Sequence, residues 1–547
     1  MGRGADLVIT GADIYTVNAA APWAEAVAIR DGTIAAVGTE AEVREQVGAV
    51  AENLHLPGRL VLPGFQDSHV HAPFAGRNRL RVDLAGLAGK DAYLDHIARY
   101  AAGHPDEPWI IGGGWAMEHF PYGEPDKRDL DAIVPDRPVF LFNRDVHGAW
   151  VNSQALRLAG IDRTTADPAD GEIMRDPGTH EATGSLHEGA AYRMNDQFVP
   201  APTRHEWEAS ILEAQDHLLS MGITGWQDAW VTPATLDAYA SLADAGTLLA
   251  RVVGALWWDR NRGIEQVADF VQQRLLGVAA ADTFRATTVK IMVDGVLETR
   301  SGAVIEPYCD GHGRPTDNYG LTFVEPDLLA EAVTTLDALG FQVHMHAIGD
   351  AAVQHALDAV QRARDENGPT DNRHHIAHLQ LVQPQDIVRF RQLGVVANCQ
   401  TYWAQSEPQM EELTIPLLGR RRADRQYPFG DLARSGAALA MGSDWGVTTA
   451  NPLDQIEVAV TRVDPEHRTN APFLPEQTLS LTAAVRAFTM GSAFVNHDDA
   501  SAGSVQIGKR ADLAVLDRNI FADGSADIAD AGAEYTLVRG HVAYERG

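Results

Sequence analysis

Only two of the 547 residues are cysteine, Cys309 and Cys399, too few for a disulfide framework or a multi-thiolate metal site in a chain this long. A reducing compartment suits such a chain, and the cytoplasm is the expected location. No apolar run approaches the roughly 18 residues that a membrane-spanning helix needs. The opening stretch MGRGADLVITGADIYTVN carries an early Asp6 and alternating apolar residues where a signal peptide would have an unbroken apolar segment. Basic residues are scarce as well, with 44 Lys and Arg against 75 Asp and Glu, a formal net charge of −31. A field of that sign repels phosphate backbones and anionic lipid, which disfavours nucleic acid and membrane surfaces as partners. A homodimer is the commonest assembly for a soluble oligomer.

Hydrophobic residues make up 45% of the chain, and 49 Gly and 27 Pro supply many short turns. At this length one large domain plus a smaller one is expected. The first sixty residues read as short strands: DLVITGADIYTVN, then AEAVAIRDGTIAAVGT around an Asp-Gly turn, then ENLHLPGRLVLPG. The end of the chain alternates in the same way through GSVQIGKRADLAVLDR and YTLVRGHVAYERG. Residues 1–62 and 500–547 are therefore expected to form one composite β-sandwich. Residues 63–499 alternate β-like runs with amphipathic stretches, the pattern of an α/β chain with a parallel sheet. Eight barrel strands are expected: VLPGFQDSHVH, GITGWQDAW, RVVGALWWD, TTVKIMVDG, FQVHMHAIGD, HHIAHLQLV, VVANCQTYW and ALAMGSDWG, which predicts a (β/α)8 TIM barrel. The spacing between the first two is far more than one helix requires, so an insertion is placed at about residues 76–220.

His69 and His71 end the first of these strands, and a two-residue spacing on a strand turns both imidazoles to one face. An HxH pair alone is weak. Lys290 falls mid-to-late in the fourth strand, with His346, His378 and Asp444 late in the fifth, sixth and eighth. All of them lie toward the C-terminal side, where barrel enzymes build their sites. Such a set suits one or two divalent ions of the zinc type, with an open position for a water that ionises near neutral pH. His344 competes with His346, but its earlier position suggests a deeper, supporting role. The rival reading, ordinary strand-end polar residues, requires six of them to coincide at one mouth.

DSHVHAPF, VKIMVDG, HMHAIGD, HIAHLQLV, GSDWG and GSVQIGKRADLAVLD together resemble the amidohydrolase superfamily. GGGWAMEHF, HGAWVNSQAL and TGSLHEGA resemble its family 3, the group that contains N-substituted formamide deformylases and YtcJ-type hydrolases, and the resemblance covers nearly the whole chain. It implies a metal held by His69, His71 and Asp444, a second held by His346 and His378, and Lys290 between them as a carboxylated lysine. A desolvated Lys keeps the neutral amine that adds carbon dioxide; the alternatives are an unmodified Lys290 or an ion pair with Asp294. The activity implied is hydrolysis of an amide-type C–N bond of a small-molecule substrate by metal-activated water, with Asp444 as general base and acid. Trp115, Glu118, His147 and Trp150, in Gly-flanked segments of the insertion, are expected to roof the pocket and shape substrate choice. His147 or His187 is expected to hydrogen-bond the oxyanion. Cyclic amides, carbamates and esters are competing substrates. A deaminase is disfavoured because Ala347-Ile348-Gly349-Asp350 follows His346 without the Glu that moves protons in such enzymes, and a non-catalytic binding protein has no need of the ligand set.

Overall fold

A computed structural model describes residues 5–279, 281–522 and 527–547. Strands β1 (Ala5–Tyr15), β2 (Trp23–Arg30) and β3 (Thr33–Gly38) form an antiparallel meander. Asp31 and Gly32 join the last two with φ of 50° and 74°, a left-handed pair whose twist matches the flanking strands in a two-residue hairpin. Strands β4 (Val50–His55) and β5 (Leu60–Pro63) then run parallel to β1.

After Gly64 the chain enters a different sheet through β6 (Phe65–Val70), every residue of which is buried. Before that sheet continues, β7 (Val82–Asp83), β8 (Ile110–Trp115), β9 (Val139–Asn143), β10 (Gly148–Val151), β11 (Gly171–Arg175) and β12 (Ala182–Glu188) build a six-stranded sheet of their own, in the order β11-β12-β10-β9-β8-β7. The insertion is thus a folded layer with its own apolar core around Trp115, Phe120, Leu141 and Trp150.

The parallel sheet resumes with β13 (Ile223–Val231), β14 (Arg251–Trp257), β15 (Phe284–Met292), β16 (Gln342–Ala347), β17 (His375–His378), β18 (Val396–Cys399) and β19 (Leu439–Met441). Its order, β19-β18-β17-β16-β15-β14-β13-β6, is that of a nearly closed eight-stranded barrel. All eight strands read from the sequence lie in it. Outer helices such as Pro233–Asp244, Pro326–Ala338 and Pro384–Leu393 start on proline, whose missing N–H costs nothing in a first turn. The last seam closes at the mouth: the Asp444 N–H donates to the His69 carbonyl at 2.7 Å and the His71 N–H to the Trp445 carbonyl at 2.8 Å. Gly442 permits this approach, since a Cβ there would lie 2.6 Å from the backbone nitrogen and Cβ of His69.

Strands β20 (Leu513–Leu516), β21 (Ala533–Val538) and β22 (His541–Glu545) return to the first sheet, where β20 pairs antiparallel with β5. Both ends of the chain therefore share one eight-stranded sheet. No helix among the described residues is long and apolar enough to cross a membrane, and Cys309 and Cys399 are free, buried thiols.

Candidate active site

Parallel strands place all their C-terminal ends on one face. There, His69 and His71 each direct Nε2 to within 3.2 Å of Asp444 Oδ1, and the ligand atoms of the three residues lie within 4.8 Å of one another. His378 Nδ1 stands 3.8 Å from Asp444 Oδ2, and the His378 ring centroid is 4.8 Å from that of His69 and 4.5 Å from that of His346. Lys290 opens into the same cavity. Two of these residues hold left-handed backbone, Asp444 at φ 59° and His378 at φ 75°. Such conformations persist in non-glycine residues only where the surroundings enforce them; here the His69 carbonyl holds the Asp444 N–H, and Gln400 Oε1 accepts the His378 N–H at 2.6 Å.

A buried hydrogen-bond chain sets the tautomer of His69. The amide nitrogen of Gln227 donates to Gln342 Oε1 at 2.9 Å, and Gln342 is itself fixed by donating to the Arg373 and Val495 carbonyls. Gln227 Oε1 is therefore an acceptor, so the ring nitrogens that meet it, His344 Nδ1 at 2.8 Å and His375 Nε2 at 2.9 Å, carry hydrogen. Burial pushes His344 well below the ordinary histidine range, with His375 and Lys290 adding to the shift, so the ring is neutral and its Nε2 accepts. His69 Nδ1, 2.8 Å away, is then the donor, and His69 Nε2 is left with a lone pair. That atom is buried without a hydrogen-bond partner and faces a carboxylate oxygen. Two facing acceptors in a dry site repel unless a cation lies between them. The donor set of His69, His71 and Asp444 fits a divalent ion of the zinc type. His346 is oriented in a similar way, donating Nε2–H to the Gly295 carbonyl at 3.3 Å and leaving Nδ1 as an acceptor. Replacing Gln227 by Leu is expected to weaken metal affinity by about 10- to 100-fold, as read by competition with a fluorescent chelator; unchanged affinity would separate the chain from ligand orientation.

Lys290 is 1% exposed, and burial pushes its ammonium down to about 7, against the pull of Asp444 and Asp228. A neutral amine is thus accessible at neutral pH. Asp294 does not pair with it. The Asp294 carboxylate instead accepts backbone N–H groups of Ala303, Ile348 and Gly349 at 2.8–3.0 Å.

Above these residues lies a cavity of about 790 Å³ including its mouth, walled by Trp230, Trp257, Trp403, Tyr192, Asp145 and His147 among others. His147 Nδ1 meets Glu188 Oε1 at 2.9 Å, and Glu188 also accepts from Ser301 Oγ at 2.6 Å. Burial pushes His147 down, but the charge and hydrogen bond of Glu188 outweigh it and leave the imidazole above its usual range. Arg144 braces the roof between Glu118 at 3.3 Å and Glu407 at 3.7 Å, with its guanidinium 5.1 Å from the Trp403 ring centre.

The model of the amidohydrolase family matches residues 54–544. The chain belongs to the amidohydrolase family. It is 30% identical over 98% of its length to the putative amidohydrolase YtcJ of Bacillus subtilis, covering 99% of that protein. To the N-substituted formamide deformylase of Arthrobacter pascens it is 27% identical over 99% of its length, covering 98% of the relative. A metal-dependent hydrolase of Pyrococcus furiosus superposes with a TM-score of 0.71 at 26% identity, over 94% of this chain and 99% of that one. This amidohydrolase is accordingly a metal-dependent hydrolase on a barrel.

Not every residue expected at the site of this amidohydrolase reaches it. His69, His71, Lys290, His346, His378, Asp444 and His147 all line the cavity. Trp115 and Trp150 do not: their Nε1 atoms donate to the carbonyls of Leu141 and Asp126, and both rings are buried within the insertion. Glu118 braces Arg144. His187 turns away and pairs with Glu124 at 3.1 Å, because neighbours on β12 point to opposite faces and Glu188 takes the face toward His147. Trp230 and Trp257, at the C-terminal ends of β13 and β14, were legible by the strand-end rule that identified the histidines. His344, expected to sit deeper in a supporting role, meets His69 there at 2.8 Å, whereas Gln227 carried no motif.

Proposed function

We propose that this amidohydrolase cleaves the C–N bond of a small linear amide, of which an N-substituted formamide is the leading example, with His69, His71 and Asp444 holding zinc and His346, His378 and a carboxylated Lys290 completing a second position. The observation that carries this reading is the pair of imidazole Nε2 atoms 3.2 Å from one carboxylate oxygen, with His69 fixed in the metal-binding tautomer. Zinc bound there supplies Lewis-acid polarisation of the carbonyl and lowers the pKa of water. Asp444 takes the water proton as the oxygen adds to the carbonyl carbon, then delivers it to the leaving nitrogen as the C–N bond breaks, giving an acid and an amine. When its Nδ1–H is committed to Glu188, His147 donates from Nε2 only as the imidazolium, which places a cationic donor beside the developing oxyanion. Trp230, Trp257 and Trp403 exclude water around the acyl group and its nitrogen substituent. The free thiols favour a reducing cytoplasm.

His147→Ala is expected to lower kcat by about 10²- to 10³-fold without loss of metal, and an unchanged kcat would reduce His147 to packing. The sign of the pH effect follows from its raised pKa: the imidazolium is lost as pH rises through the folded value. Glu188→Gln removes the group that raises it, so the alkaline limb of kcat is expected to move to lower pH; a profile that does not move would uncouple the two residues. The formamide reading itself is tested by offering N-benzylformamide and following formate release; turnover of esters alone would overturn it.

A further inference from the structure

A second cavity shares the walls of His71 and Trp230 with the first. It is about 1080 Å³ including its mouth and lies between the barrel and the inserted sheet, with Phe74, Phe140, Phe142, Val199 and Trp207 in its lining. Among the described residues one Lys or Arg side chain, that of Arg77, lines this space. Arg77 belongs to the helix Ala72–Arg79 that begins directly after His71, so its Cα sits about 9 Å further along the helix axis than that of His71, at 1.5 Å per residue.

Arg77 is set apart by what it lacks. In a chain with 75 acidic against 44 basic residues, two neighbouring arginines find a carboxylate: Arg79, at the end of the same helix, with Glu213 at 2.9 Å, and Arg81, just beyond it, with Glu206 at 2.6 Å. Arg77 has no ion pair and no hydrogen bond among the described residues, and its Nε and Nη2 are closed off from solvent. Its guanidinium lies 5.6 Å from the Trp207 ring centre, and the nearby Glu206 carboxylate, which acts on Arg77 through space, is hydrogen-bonded to Arg81 instead. The two carboxylates in the same lining are otherwise engaged: Asp228 accepts from the Trp230 N–H and the Tyr239 hydroxyl, and Asp196 accepts from Asn195. Burial pushes Arg77 down only to about 10, so the charge persists at neutral pH. An unpaired buried charge is costly unless a partner arrives to meet it.

We propose that this cavity receives the nitrogen substituent of the substrate, and that the substituent is an apolar, aromatic-sized group ending in a carboxylate that Arg77 binds. The substrate class is then a small-acyl derivative of an anionic aralkyl amine. The proposal rests on the amide-hydrolase reading and narrows it. His71 and Trp230 line both cavities, so the second space lies directly beside the metal residues, and the proposal requires the Trp230 ring to admit the substituent between them. Cation and carboxylate in a low-dielectric pocket form the charge-assisted, two-pronged bond for which a guanidinium is shaped.

The test separates the two layers. First, 3-phenylpropanoate and its neutral amide are titrated into the full-length protein by calorimetry, with no reaction required. The carboxylate is expected to bind at least 10-fold more tightly, and Arg77→Gln to abolish that preference, with Arg77→Lys retaining part of it. Equal binding of the two probes by the unaltered protein overturns the proposal even if Arg77→Gln fails to fold. Second, the ratio of kcat/KM for N-formyl-4-(aminomethyl)benzoate over N-benzylformamide is expected to exceed 10 and to fall toward 1 in Arg77→Gln through KM. Hydrolysis of both substrates at equal efficiency overturns the anionic pocket and leaves the amide hydrolase standing. Carboxylate-selective binding with hydrolysis of neither amide supports the pocket and overturns the reaction.

Discussion

Asp444→Asn is expected to leave the barrel folded and to lower kcat by on the order of 10⁴-fold. Several roles converge on this side chain. Its carboxylate lies against His69, His71 and His378, its position is fixed by a backbone bond to His69 and a left-handed φ, and no other carboxylate among the described residues stands within 4 Å of the imidazole nitrogens of those first two histidines, the Asp67 carboxylate accepting the His69 backbone N–H instead. Asparagine keeps the shape and removes both the negative charge and the basic oxygen. The backbone bonds that close the barrel at Asp444 and Trp445 do not involve the side chain, so unfolding by heat should change little. Near-normal turnover in this variant, with metal content intact, would remove Asp444 from the proton path.

Lys290→Ala is the second large effect. If the amine is carboxylated, its loss removes the anion that joins the two metal positions, and we expect about half the metal content and a fall in kcat/KM on the order of 10³-fold. The pH dependence follows from the sign of the shift. A lysine lowered to about 7 by burial is protonated, and unable to add carbon dioxide, as pH falls below that value. Chelated protein is therefore expected to reload metal fastest above pH 7 with bicarbonate present, and mass spectrometry of intact reloaded protein reports the added carboxyl directly. Full metal content and full activity in Lys290→Ala would reduce the residue to a neighbour of the site.

The parts of the fold legible in the sequence were those written in short-range periodicity. Each barrel strand carries its own apolar run and turn signals, and His69-Val70-His71 shows its shared face in three residues. His346, His378 and Asp444 were legible because strand ends of a parallel barrel meet at one mouth. Trp115 and Trp150 show the limit of composition: Gly-flanked aromatics resemble lid residues, yet the insertion folds as a sheet with its own core and consumes both indoles there. His187 shows the limit of residue type, since only the pairing of β12 with β10 decides which neighbour faces His147. Gln227 escaped because a glutamine on a strand has no signal of its own. Its role comes from Gln342, His344 and His375, on strands far apart in sequence.

Metal content per chain, measured by elemental analysis on protein purified without chelator and paired with formate release from N-substituted formamides before and after chelation, tests the central claim most directly. The account predicts about two zinc per chain and turnover that is lost on chelation and restored by zinc. Protein that contains no metal and hydrolyses the same amides unaffected by chelator would contradict it.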